Sequence, residues 1–172
     1  MAVPEGAFTG RPRCLAWLPA FLFRTDPVAA RYVAKAWALM LGPSLVLGWA
    51  AAKLFPQAAS PDFNVEATGP WMTAFSLVFF APAVETLILA PLVLLLRRFF
   101  GFGPAAIAGA GLWGVAHSLA APTWGLVVWW PFLIMSIALM TWRSEGLIKA
   151  IALVTIVHAL QNSVGAALLL LT

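Results

Sequence analysis

The sequence is poor in charge and nearly devoid of cysteine. Only 9% of its 172 residues are Asp, Glu, Lys or Arg, and Cys14 is the single cysteine. A soluble domain is about a quarter charged and about half apolar. The shortage of charge therefore excludes a soluble domain. It equally excludes a disordered chain, which stays unfolded through high charge and low hydrophobicity. One cysteine cannot build a disulfide scaffold, and Cys14 is assigned no role. What the sequence has in excess is apolar surface: 63% hydrophobic residues, nine Trp and a mean hydropathy of +0.95. The class this defines is an all-α, polytopic membrane helix bundle.

Basic residues outnumber acidic ones ten to six, for a net charge of +4. Arg11, Arg13, Arg24, Arg31, Lys35, Lys53, Arg97, Arg98, Arg143 and Lys149 lie at the edges of apolar stretches. They form no patch interleaved with stacking aromatics, so they read as topology signals and not as a nucleic-acid interface. A spanning helix needs about 20 mostly apolar residues, and five stretches fit: 29–52, 70–96, 104–120, 123–141 and 147–171. Thr25-Asp26-Pro27 places a capping side chain and a first-turn proline before the first. A polar loop from Lys53 to Glu66 separates the first two. Arg97-Arg98, then Gly101, Gly103 and Pro104, end the second, Pro122 breaks the third, and residues 141–146 form the last turn.

The stretch Cys14–Phe23 is apolar, too short to span and flanked by Arg11, Arg13 and Arg24. It reads as an interfacial helix. The alternative, a secretory signal, lacks a small-x-small cleavage site after it. The basic residues concentrate on the N-terminal segment, the 97–98 turn and the 143–149 turn. The positive-inside rule then puts the N-terminus in the cytoplasm and the C-terminus outside. With no internal repeat or linker, residues 1–172 read as one integral-membrane domain, of which about 1–26 form an N-terminal cytoplasmic or interfacial segment.

Three ionisable residues break the pattern. Five of the six acids, Glu5, Asp26, Asp62, Glu66 and Glu145, lie outside or at the edges of the spans. Glu85 sits mid-span, as do both histidines, His117 and His158. An acid at the bilayer centre costs about 2.5–3.5 kcal/mol on insertion scales, and such groups face the bundle interior and mark function. At 1.5 Å per residue, Glu85, His117 and His158 lie about 18, 24 and 14 Å from the inner edge. His158 and Asn162 are four residues apart on one helix face, as are Trp113 and His117. Small residues at four-residue steps, Ala106, Ala110, Gly114, Ser118 and again Ala159, Ser163, Ala167, allow close helix approach.

A carboxylate, two imidazoles and a carboxamide in a low-dielectric pocket suit two chemistries. One is water activation, with Glu85 as general base, an imidazole holding the water, and Asn162 donating to an oxyanion. The other is a divalent metal such as zinc, for which Glu85, His117 and His158 form a possible ligand set with an open fourth position. Polar bonding between helices, with no chemistry, is the plain alternative. Thr86 reads as a backbone-bonding threonine. Pro82 and Pro91 read as kinks framing Glu85, and Trp129-Trp130-Pro131 as lipid-facing or packing bulk.

The order of these residues resembles the CAAX-protease and bacteriocin-processing (CPBP, or Abi) family of intramembrane endopeptidases. That family carries a Glu-Glu-x-x-x-Arg helix, an aromatic-x-x-x-His helix and a His-x-x-x-Asn or His-x-x-x-Asp helix. The matching segments are 82–90 around Glu85, Trp113-Gly114-Val115-Ala116-His117, and His158-Ala159-Leu160-Gln161-Asn162. The resemblance covers about 71–165. It implies a protease that cleaves a membrane-embedded or lipid-anchored substrate with Glu85, His117, His158 and Asn162, with or without metal, in a bacterial-type inner membrane. The family's second Glu and its Arg fall on Thr86 and Ala90, which departs from the pattern. That departure leaves open a catalytically silent binding, immunity or maturation partner. A small proton-relay or transport subunit is a third expectation, and the small-residue stripes also allow homo- or hetero-oligomers.

Overall fold

A computed structural model describes residues 10–171. Residues 1–9, Glu5 among them, and Thr172 lie outside the described residues. All regular structure among the described residues is helical. Five long helices follow one another: α1 (Ala29–Leu54), α2 (Pro70–Phe100), α3 (Phe102–Ala120), α4 (Trp124–Trp142) and α5 (Leu147–Leu171). A short helical turn, Val65–Thr68, lies in the α1–α2 loop. Every expected span falls on one of these helices.

Four of the five, α1, α2, α4 and α5, are long and apolar enough to cross a membrane, which makes this an integral membrane protein. The exception, α3, has 19 residues. Its Pro104, His117, Ser118 and repeated glycines dilute its apolar character. Within the bundle α4 is the axis. Its sequence is hydrophobic around its whole circumference, the pattern of an enclosed helix. In its most apolar window 67% of residues are buried, against 17% to 28% in α1, α2 and α5. The other helices pack around it and turn apolar side chains such as Trp49, Phe79, Leu119 and Ile148 outward.

The closest helix pair is α3 with α4, and the small stripe of α3 is the reason. Ala106 and Ala110 are buried. A Cβ added to Gly125 of α4 would run into the Gly114 carbonyl oxygen and the Ser118 hydroxyl. The second stripe behaves differently. On α5 the buried residues are Ala150, Leu153, Val154, Val157, His158 and Ala166, while Ala159 and Ser163 are half-exposed and Ala167 is exposed.

Prolines shape the helices by withholding N–H donors. In α1, Pro43 leaves Leu39 O without its helical donor, and Trp130 Nε1 of α4 donates to that oxygen at 2.9 Å. Trp130 is thus a strut between α1 and α4 as well as packing bulk. In α2 a π-helical turn covers Ser76–Phe80, and Ala81 N–H bonds to Ser76 O, five residues back. The next bond in that register would join residue 82 to Leu77 O, and residue 82 is proline. Asn162 Nδ2 of α5 fills the place, donating to Leu77 O at 3.0 Å.

The apolar N-terminal stretch does not form the expected interfacial α-helix. It folds as two 3-10 turns, Arg13–Leu15 and Ala20–Phe23, each preceded by a proline. Leu15, Leu18 and Leu22 are buried in the common core. Side chains reach carbonyls of this segment: Arg11 donates to Ala16 O and Leu18 O, and both Tyr32 Oη and Thr141 Oγ1 donate to Leu22 O. Helix α1 starts at Ala29, where the first span is expected, and Asp26 just before it accepts the Val28 N–H and pairs with Arg31 at 3.1 Å.

Candidate functional site

The site is assembled from three helices around α4. Glu85 and His117 lie sixteen residues on either side of Gly101. That single residue, at φ 78°, connects α2 to α3, a left-handed backbone that glycine adopts without strain. An antiparallel hairpin with a one-residue turn sets two such positions level. His158 arrives from α5, which packs against both α2 and α4.

The three side chains converge on one atom. Glu85 Oε2 lies 3.8 Å from His117 Nε2 and 3.9 Å from His158 Nε2, and Trp113 Nε1 donates to it at 3.3 Å. The groups are enclosed to different degrees, with side-chain exposures of 25% for Glu85, 14% for His117 and 5% for His158. The carboxylate is the least enclosed of the three. His117 Nδ1 lies 2.9 Å from the Trp113 carbonyl oxygen. A carbonyl only accepts, so this hydrogen bond requires the proton on Nδ1, and the neutral ring then turns an unprotonated Nε2 toward Glu85. Buried His158 Nδ1 has no hydrogen-bond partner, so its tautomer is not fixed in that way.

Aromatic rings hold the imidazoles. Phe132 of α4 sits between them, its ring centroid 5.4 Å from His117 and 5.5 Å from His158. Trp124 meets His117 edge-on, at 4.6 Å and 85°. Trp113 packs on Phe132 at 5.4 Å. Neither Phe132 nor Trp124 stands out in the sequence as part of the site. Their eight-residue spacing puts both on one face of α4, yet α4 is apolar on every face and nothing marks that one.

Among the expected site residues, Glu85, His117 and His158 come together. Asn162 is placed otherwise: its amide is engaged with the α2 backbone at Leu77. It ties the π turn to α5 and is not directed at the carboxylate, because the Pro82-freed carbonyl is the stronger claim on it. Thr86 departs from expectation too. Its hydroxyl is buried without a hydrogen-bond partner, so it does not bond to the backbone. With Ala90 it points into the bundle.

The metal reading does not fit the placement. Bonds of about 2.0–2.1 Å in a tetrahedral zinc site set neighbouring ligand atoms about 3.4 Å apart. Both carboxylate–imidazole separations exceed that, and Glu85 Oε2 already accepts the Trp113 N–H. Among the described residues no group of three or more His, Cys, Asp or Glu side chains is arranged to hold a metal ion. A single water suits the gap better. Held about 2.8 Å from both groups, it would be bent by about 85° between them.

Compared with family models, with curated proteins and with solved structures, the chain matches none.

Proposed function

We propose that the chain is an intramembrane endopeptidase of the CPBP type, hydrolysing a peptide bond of a membrane-embedded or lipid-anchored substrate with water activated at Glu85. The observation that carries this reading is the convergence of Trp113, His117 and His158 on Glu85 Oε2, inside a bundle of apolar helices. A water between Glu85 and His117 donates one hydrogen to the carboxylate and the other to the unprotonated Nε2. Its oxygen lone pairs then face outward as the nucleophile. Glu85 takes the proton as the C–O bond forms and returns it to the leaving amine. Trp113 holds the carboxylate, and the Trp113 carbonyl sets the His117 tautomer. His158, the most enclosed of the three, supplies the second nitrogen facing Glu85. Asn162 acts here as a positioning residue through Leu77.

In this reading α3 crosses the bilayer with the other four helices, the N-terminus is cytoplasmic and the C-terminus outside. The contact of Thr25 with Glu145, at 3.4 Å, supports placing the N-terminal segment and the basic 143–149 turn at the same end. The N-terminal turns, with exposed Trp17 above them, lie at the inner interface.

The test is quantitative comparison of membrane-protein fragments from cells carrying the wild type, Glu85→Gln or His158→Ala at equal membrane levels. The wild type is expected to yield a cleaved species that both substitutions reduce by about 10²–10⁴-fold. Unchanged cleavage in Glu85→Gln sinks the reading. The buried, uncharged Thr86 and Ala90 favour one rival, a silent member that binds a membrane partner. That reading expects co-purification of the partner to survive both substitutions.

A further inference from the structure

A cavity of about 260 Å³ opens between the end of α1, the loop that follows it and the start of α4. Gly48, Ala52 and Phe55 form one wall, Ser60 lies in the loop, and Trp124 and Val127 form the other wall. No charged side chain lines it. Two features make it more than a surface depression. First, Trp124 is common to the cavity and to the site: the residue lines the cavity, and its ring meets His117 at 4.6 Å. Phe63 of the loop packs edge-on against the same ring at 5.6 Å. Second, Val127 carries a main-chain carbonyl without its helical donor, because residue 131 is proline. The comparable carbonyls Leu39 O and Leu77 O are each met by a side chain from a neighbouring helix. Val127 O is met by none among the described residues.

We infer that this cavity is the subsite that takes an uncharged, extended peptide segment of the substrate next to the scissile bond. The inference rests on the protease reading and adds the substrate class to it. An extended segment brings backbone N–H groups, and one of them bonds to Val127 O. Small walls at Gly48 and Ala52 leave room for one apolar side chain at a time, and the uncharged lining disfavours a charged one. Trp124 is the shared wall, and its displacement joins the cavity to the Glu85–His117 pair. The loop carrying Phe63 backs Trp124 from the other side.

The test reads access to His117 and needs no cleavage, so it can fail while the protease reading stands. The full chain in detergent is treated with diethyl pyrocarbonate, and modification of its two histidines is followed by mass spectrometry. An uncharged blocked peptide, N-acetyl-Ala-Leu-amide, is expected to slow His117 modification by about tenfold at ten times its Kd, by mass action. N-acetyl-Lys-Lys-amide is expected to give no protection. Gly48→Leu adds bulk on the cavity wall from a position where an added Cβ meets nothing within 4 Å, and its thermal unfolding is compared with the wild type to show that the fold is kept. Its expected result is slower His117 modification and loss of protection by the uncharged peptide. Trp124→Ala is expected to speed modification at His117 and not at His158. If it speeds both equally, the bundle has loosened, and Gly48→Leu alone decides. Equal protection by both peptides, or protection unchanged in Gly48→Leu, overturns the inference.

Discussion

Gly125→Ala tests the contact that sets the site's geometry. The added Cβ falls on the Gly114 carbonyl oxygen and the Ser118 hydroxyl. The hydroxyl can rotate away, but the carbonyl belongs to helix α3 and cannot, so α3 and α4 must separate. Overpacking of this kind costs about 1–3 kcal/mol, and a rigid backbone obstacle puts the cost at the upper end. The gain in helix propensity from glycine to alanine returns up to about 1 kcal/mol. The net loss is about 2 kcal/mol. For a chain of this size that lowers Tm by about 4–8 °C. Separation also carries His117, one helical turn beyond Gly114, off the Trp124 and Phe132 rings of α4 that hold it. Cleavage should fall further than the stability loss explains. The control is Gly111→Ala on α3, where an added Cβ meets nothing within 4 Å. Its Tm should stay level or rise slightly. Thermal unfolding of the three proteins in one detergent decides the matter. A Gly125→Ala protein as stable as Gly111→Ala would refute the close-packing argument.

Asn162→Ala strips the donor from Leu77 O and should cost about 1–3 kcal/mol. Pro82→Ala supplies a residue-82 N–H to that same oxygen, so the double variant should be more stable than the sum of the two single effects by about 1 kcal/mol. Additivity within about 0.5 kcal/mol in a thermal-denaturation cycle would rule out the proline-and-asparagine account. At the N-terminal end, Leu22 O accepts from both Tyr32 and Thr141. Tyr32→Phe and Thr141→Val should each cost under about 1 kcal/mol, since one donor remains, while the pair together should cost about 1–3 kcal/mol. Limited proteolysis near residue 24 provides the readout, and an equally protected double variant would contradict it.

Much of this molecule is legible in its composition. Apolar runs of about 20 residues fit spanning helices, and the helix ends follow from Arg97-Arg98, Gly101, Pro122 and Gly146, where those runs stop. Glu85, His117 and His158 stand out because a titratable group in an apolar run is expensive and needs a reason to be there. Their depth within the bilayer core is legible too, but only the one-residue turn at Gly101 sets Glu85 and His117 level. Tertiary structure decided the rest. Asn162 shares a face with His158 in any helix, but only the meeting of α5 with the π turn shows that a proline-freed carbonyl claims it. Phe132 and Trp124 are two apolar residues among many in α4 until the imidazoles come to rest on their rings. The N-terminal leucines read as an interfacial face, and only the bundle supplies the core that buries them. Residue type and local periodicity determine helices and flag the odd residue. Which group answers an unpaired carbonyl, and which ring faces an imidazole, depends on helix crossings that no local pattern encodes.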